Sequence, residues 1–197
     1  MFVLGLTGSI GMGKSTAAAM FRRLGCKVHD ADKTVHDLLK KSGAAYLAVA
    51  ARFPEAVGKD GEIDRKKLGA LVFGDDVALK ALEAILHPLV RRAEGQFLRQ
   101  AKALRERLVV LDIPLLFETR GERRCDGVAV VTAPPFVQRA RVLARPGMSE
   151  KKYQDILARQ MPEGEKARRA DWLLATGLGK RFTFDSIKAL VSALKRM

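Results

Sequence analysis

An apolar run of strand length, Phe2-Val3-Leu4-Gly5-Leu6, leads almost at once into Gly8-Ser9-Ile10-Gly11-Met12-Gly13-Lys14-Ser15. Helix formers follow from Lys14 onward. The octet fits the spacing GxxxxGK[ST], between a strand and a helix as that motif demands. Glycine is the costliest residue to order, so glycines clustered this tightly need a compensating purpose. They let consecutive backbone N–H groups turn inward and form a concave nest for an anion. The helix starting near Lys14 adds the positive end of its dipole at the same place. Lys14 is placed to reach β- and γ-phosphates, Ser15 to ligate Mg²⁺ through its hydroxyl, and Thr16 to contact an α-phosphate. At average residue frequencies a chance match in a chain this long has odds on the order of one per cent. The opening thus commits the chain to an α/β domain that binds a nucleoside triphosphate.

The remaining pattern agrees. Gly25 reads as the C′ glycine that ends the first helix. Short apolar runs recur at 26–29, 108–114, 127–133 and 172–176. With the first, they predict a five-stranded parallel sheet covered by helices on both faces. From 33 to 105 the pattern turns helical. Asp64 is a candidate N-cap before Leu68, Leu71 and Val72, and Leu79, Leu82, Ile85 and Leu86 share one face before Pro88, which restarts or kinks that helix. The segment reads as an insertion at one edge of a core formed by 1–32 and 106–197.

Composition narrows the setting. In 197 residues, 36 Lys and Arg stand against 22 Asp and Glu, a net charge of +14. Such a balance attracts anions, and nucleic acid, headgroups and phosphorylated metabolites would all satisfy it. The two cysteines, Cys26 and Cys125, lie far apart and, with three scattered histidines, show no metal-ligand spacing. Free thiols in a reducing compartment are the simpler reading. The N-terminus carries no basic segment before a long apolar stretch, and no run approaches membrane-spanning length. The expectation is a soluble cytoplasmic protein, a monomer, with neither membrane nor nucleic acid as partner.

Where the phosphate goes is decided elsewhere. A GTPase should carry a guanine-reading NKxD-like segment, and none occurs; an ATPase driven by nucleic acid usually needs a longer chain. A small-molecule kinase needs an acceptor base, a carboxylate near the metal and mobile arginines. Asp30 and Asp32 lie beyond the second strand, and one of them could accept the proton of an acceptor hydroxyl, although aspartate is also a common helix N-cap. Asp112 ends Leu108-Val109-Val110-Leu111-Asp112, an arrangement of Walker-B type suited to Mg²⁺, or an ordinary turn aspartate. Arg139, Arg141 and Arg145 crowd a helix that breaks at Pro146-Gly147, either a solvated face or a lid spanning about 135–160.

These stretches together resemble the dephospho-CoA kinase family. The resemblance runs nearly end to end: GLTGSIGMGKST at 5–16, DAD at 30–32, DRKKLGALVF at 64–73, HPLV at 87–90, DIPLLFE at 112–118, QRARVLARPGMS at 138–149, RQMP at 159–162 and AD at 170–171. It implies a P-loop kinase that uses ATP to phosphorylate the ribose 3′-hydroxyl of dephospho-CoA, with the helical insertion binding the acceptor. By position, Asp32 matches the base. Gly11, Met12, Gly13, Lys14, Ser15 and Thr16 would bind ATP phosphates, Arg141 and Arg145 match the lid pair, and Arg65 and His87 would contribute to the acceptor site. The sequence departs from the family pattern in a few places. Ser9 and Met12 replace a glycine and a serine of the loop, Pro146 replaces an aspartate, Ile156 stands where several members have arginine, and Ala175-Thr176-Gly177 replaces an asparagine-containing segment near the presumed adenine pocket. Another nucleotide or small-metabolite kinase on the same fold is the alternative.

Overall fold

The structure, a computed structural model, describes residues 1–196. Five strands, β1 (Phe2–Thr7), β2 (Lys27–Asp30), β3 (Leu108–Asp112), β4 (Gly127–Thr132) and β5 (Trp172–Ala175), form one sheet in the order β2-β3-β1-β4-β5, with every pair parallel. The central strand is thus the one that leads into the glycine loop. All of β3 and most of β1 and β4 are buried, which is why their sequences read as continuous apolar runs rather than alternating ones.

Alternate side chains serve opposite faces. Leu4, Leu6, Leu108, Val110, Ala129, Val131 and Leu174 share one apolar cluster with Ala17, Ala18 and Phe21 of α1 (Lys14–Arg23) and Ile187, Leu190, Val191 and Leu194 of α9 (Lys180–Leu194). On the other face the chain beyond β3 lies over Gly5: a Cβ there would stand 2.9 Å from both Cys125 Sγ and Leu116 Cδ2. α1 closes as the sequence predicts, with Gly25 N–H bonded to the Arg22 carbonyl and Cys26 N–H to Phe21, a Schellman arrangement.

Two compact units are distinguished. The first comprises Met1–Asp30 and the chain from Gln100 onward; the second is Ala31–Arg99. The second holds α2 (Ala31–Leu39), α3 (Tyr46–Arg52), α4 (Arg65–Val72) and most of α5 (Asp76–Ala103) around Leu39, Val49, Phe53, Ile63, Leu68, Leu82 and Leu86. Asp64 caps α4 by accepting from Lys66 N and Lys67 N, at 2.8 and 3.2 Å. Those amides hold its carboxyl below the usual range, that of Lys67 most strongly. α5 is continuous for 28 residues with Pro88 inside it, so the proline neither ends nor restarts the helix. Three shorter helices, α6 (Pro135–Leu143), α7 (Glu150–Ala158) and α8 (Glu163–Arg168), lie between β4 and β5. Among the described residues no helix is long and apolar enough to cross a membrane.

Candidate active site

The carboxyl ends of all five strands reach one edge of the sheet, where open parallel α/β folds place their ligands. There β1 gives way to the glycine loop, residues 8–13. Gly11 and Gly13 have φ of 79° and 88°, a backbone that residues with a Cβ adopt only at a cost. A Cβ on Gly11 would also stand 2.5 Å from Val142 Cγ2 and 2.9 Å from the Gln138 carbonyl oxygen. Gly13 is the N-cap of α1, whose first amides have no partner inside the helix. Ser15 and Thr16 are exposed beside them. This end of α1 is built to face an anion.

Lys14 does not stand alone. Its Nζ donates to Asp112 Oδ1 at 2.5 Å, the two side chains being 14 % and 4 % exposed. Asp112 is in register with Leu6 on one side and Asp30 on the other. It is therefore a buried carboxylate at the base of the loop, tied to the loop's lysine, and not an ordinary turn aspartate.

The outer side of the loop is braced by side chains that motif spacing does not reveal. Thr176 Oγ1 donates to the Met12 carbonyl at 2.6 Å, and Ala133 N–H points at Met12 Sδ at 3.1 Å. Met12 itself is buried in the main core, so this methionine anchors the loop by its thioether. Gln138 Nε2 donates to the Ile10 carbonyl at 2.8 Å, and Ile10 N–H donates to Gln160 Oε1 at 3.0 Å. Ser9 Oγ donates to Glu163 Oε2 at 2.8 Å. Burial pushes the Glu163 carboxyl up, while the Ser9 hydroxyl and the Lys166 ammonium pull it back. Gln160 falls inside the RQMP stretch and Thr176 inside Ala175-Thr176-Gly177, but no motif spacing points to a role for either, and Glu163 carries no sequence signal at all.

The two arginines expected in a lid, Arg141 and Arg145, differ. Arg141 is docked, its Nη1 and Nη2 donating to Thr176 Oγ1 at 3.0 Å and to the Thr176 carbonyl at 2.7 Å. Arg145, four residues on, is exposed next to Pro146 and Gly147. Arg139 instead joins α6 to α7 through Glu150 at 2.7 Å.

Asp32, Arg65 and His87 belong to the second unit. Asp32 lies in the first turn of α2 and is exposed. Arg65 opens α4 with its Nη1 3.4 Å from His36 Nδ1. His87 is exposed on α5, which removes it from the helical core as a packing residue. The structure therefore gathers Gly11 to Thr16, Asp112 and Arg141 in the first unit and lays these three on the second.

For a metal, the loop side offers the Ser15 hydroxyl and the Asp112 carboxylate. Among the described residues no group of three or more His, Cys, Asp or Glu assembles that could hold an ion. One or two hard oxygen donors are what Mg²⁺ takes from a protein when phosphates and waters complete its shell. The donor set fits.

Residues 2–178 match the protein family described as dephospho-CoA kinase. A dephospho-CoA kinase of Paramagnetospirillum magneticum is 66% identical over 166 residues, covering 84% of this chain and 78% of that protein. One of Mesorhizobium japonicum is 54% identical, covering 99% and 98%. Among solved structures, a Thermus thermophilus protein superposes with a TM-score of 0.85 at 40% identity, covering 98% and 97% of the two chains. A dephospho-CoA kinase from Campylobacter jejuni superposes at 0.66 and 25% identity, covering 99% and 98%.

Proposed function

The chain belongs to the dephospho-CoA kinase family, and from that premise we propose how its own residues divide the work. The reaction transfers the γ-phosphoryl group of ATP to the ribose 3′-hydroxyl of dephospho-CoA, giving coenzyme A and ADP, the last step of coenzyme A biosynthesis. One observation carries the assignment of the nucleotide end. The ammonium of Lys14 and the carboxylate of Asp112 meet at 2.5 Å beside a loop that left-handed Gly11 and Gly13 hold open.

The amides from Gly11 to Thr16 cradle the phosphate chain of ATP, and Lys14 turns from Asp112 to its β- and γ-oxygens. Ser15 and Asp112 are the residues that would hold Mg²⁺, which supplies neutralisation of charge on those oxygens when bound. Arg145, exposed beside a Pro-Gly break, brings positive charge to the transferring group and excludes water as the lid closes. Arg141 contributes from its docked position, fixing the loop through Thr176. On the acceptor side Asp32 orients the 3′-hydroxyl and takes its proton as the new O–P bond forms, ADP leaving with the electrons of the broken bond. Arg65 and His87 offer positive charge and hydrogen bonds to the phosphate-bearing acceptor. The two thiols accord with a cytoplasmic enzyme.

Asp32→Asn tests the base. The change keeps size and hydrogen-bonding reach but removes the proton acceptor, so kcat should fall by about 10²- to 10⁴-fold, with the KM for ATP within about threefold of wild type. A coupled ADP-release assay with dephospho-CoA reads both. A change confined to the KM for ATP would take Asp32 out of that role.

A further inference from the structure

The crest of the glycine loop, Ser9-Ile10, is gripped from outside by three acceptor or donor side chains, two of which come from the eight residues 159–166. Ile10 has both backbone groups occupied, its N–H by Gln160 and its carbonyl by Gln138. Ser9 is 95 % buried by its 5 % exposure, its hydroxyl is given to Glu163, and its own carbonyl accepts from Met12 N–H at 3.1 Å. The second oxygen of Glu163, Oε1, is buried without a hydrogen-bond partner. Placing a carboxylate there is costly, as a buried acceptor left half-satisfied always is. The cost is lessened by Lys166, three residues on and fully buried, whose ammonium also lies 2.9 Å from Glu118 Oε1. Glu118 Oε1 in turn accepts from Met161 N–H at 2.8 Å, which fixes the start of the same segment.

We propose that Glu163 and Gln160 are positioning residues for ATP, holding Ser9 and Ile10 outward so that the following amides keep the inward aim that phosphate binding requires. The inference rests on the assignment of Gly11 to Thr16 to the phosphates. An anion nest works only if successive N–H vectors converge, and a loop rich in glycine does not fix its own curvature. Tethering Ile10 by both backbone groups, and Ser9 by its side chain, removes that freedom from the residues immediately before the nest. Serine at position 9 supplies the hydroxyl that Glu163 accepts. Ser9 and its acidic partner, 154 residues apart, act as one device.

The test is a double-mutant cycle read by steady-state kinetics. Ser9→Ala and Glu163→Ala should each raise the KM for ATP about tenfold and leave that for dephospho-CoA within about twofold. The double variant should remain near tenfold, because either change alone already removes the hydrogen bond between the Ser9 hydroxyl and the Glu163 carboxylate. Glu163→Gln, which keeps an acceptor for the Ser9 hydroxyl, should return the KM for ATP to within about threefold. Ser9→Ala deletes a single oxygen and carries the test even if loss of Glu163 disturbs Lys166. An increase near hundredfold in the double variant, an unchanged KM for ATP in either single variant, or equal effects on both substrates overturns the proposal. Lys14→Ala separates the two layers. If it leaves the KM for ATP unchanged, the phosphate assignment fails and the proposal with it; if it abolishes ATP use while Ser9→Ala is silent, only the positioning role fails.

Discussion

The pair between Lys14 and Asp112 makes a residue proposed to act on ATP answerable for stability as well. Lys14→Met removes the ammonium and leaves a carboxylate that is 4 % exposed without its 2.5 Å partner. Breaking a buried ion pair from one side costs about 3–5 kcal/mol. The 14 % exposure of Lys14 and the position at the edge of the sheet place this case at the lower end, about 3 kcal/mol, a more than hundredfold drop in the folded-to-unfolded ratio at 1.4 kcal/mol per decade. With a urea dependence of about 2 kcal/mol per molar, the midpoint should move down by about 1.5 M. Trp172, the one tryptophan of the chain, sits on β5 with Phe2 packed edge-on at 6.1 Å, so its fluorescence reports the unit in question. Adding Asp112→Asn should recover the midpoint to within about 0.5 M, since replacing both partners by neutral groups of similar shape is nearly neutral. Phosphoryl transfer should stay down by about 10²-fold or more in both variants. If the double variant is as unstable as Lys14→Met, lost lysine packing and not the broken ion pair is responsible, and the reasoning fails.

Two further expectations follow from particular contacts. Thr176→Val keeps the shape but removes the hydroxyl that bonds Met12 and receives Arg141; the KM for ATP should rise about five- to tenfold, consistent with about 1 kcal/mol per lost hydrogen bond, and an unchanged value would show that the brace is idle. Lys33 and then Lys40 hold the Asp37 carboxyl down to about 2 from an ordinary 3.8. Its contribution to stability is present above about 3.8 and fades as pH falls through about 2; a side-chain carbon resonance titrating near 4 would contradict the geometry.

What was legible in the sequence was what depends on neighbours in the chain. Gly8 to Ser15 between an apolar run and helix formers gave strand, loop and helix together, and Asp64 before an amphipathic stretch is a cap for local reasons. The inner strands β1, β3 and β4 appeared because a strand buried on both faces must be continuously apolar. Whether Pro88 restarts the helix or lets it continue stayed open in the sequence, because proline's lost hydrogen bond argues locally for a break and only packing in the cluster with Leu39, Val49 and Phe53 argues for the continuous α5. α8, six residues long, is too short for any periodicity to show. The loop's outer braces were invisible for a different reason: Gln138, Gln160, Glu163 and Thr176 meet residues 9–12 across 128 to 164 positions, and no spacing rule spans such distances. Nor could the sequence say that Lys14 spends its charge on Asp112 while Arg141 is already docked and Arg145 is not.

The sheet also tapers. Its inner strands run to six, five and six residues, and each margin is a strand of only four, β2 and β5. A flat, lengthy border would be a template on which a stranger's backbone could dock and start a fibril. Here a would-be neighbour finds room for barely two rungs before the ladder runs out, so resistance to clumping at high concentration is built into the outline of the sheet before the surplus of positive charge is considered.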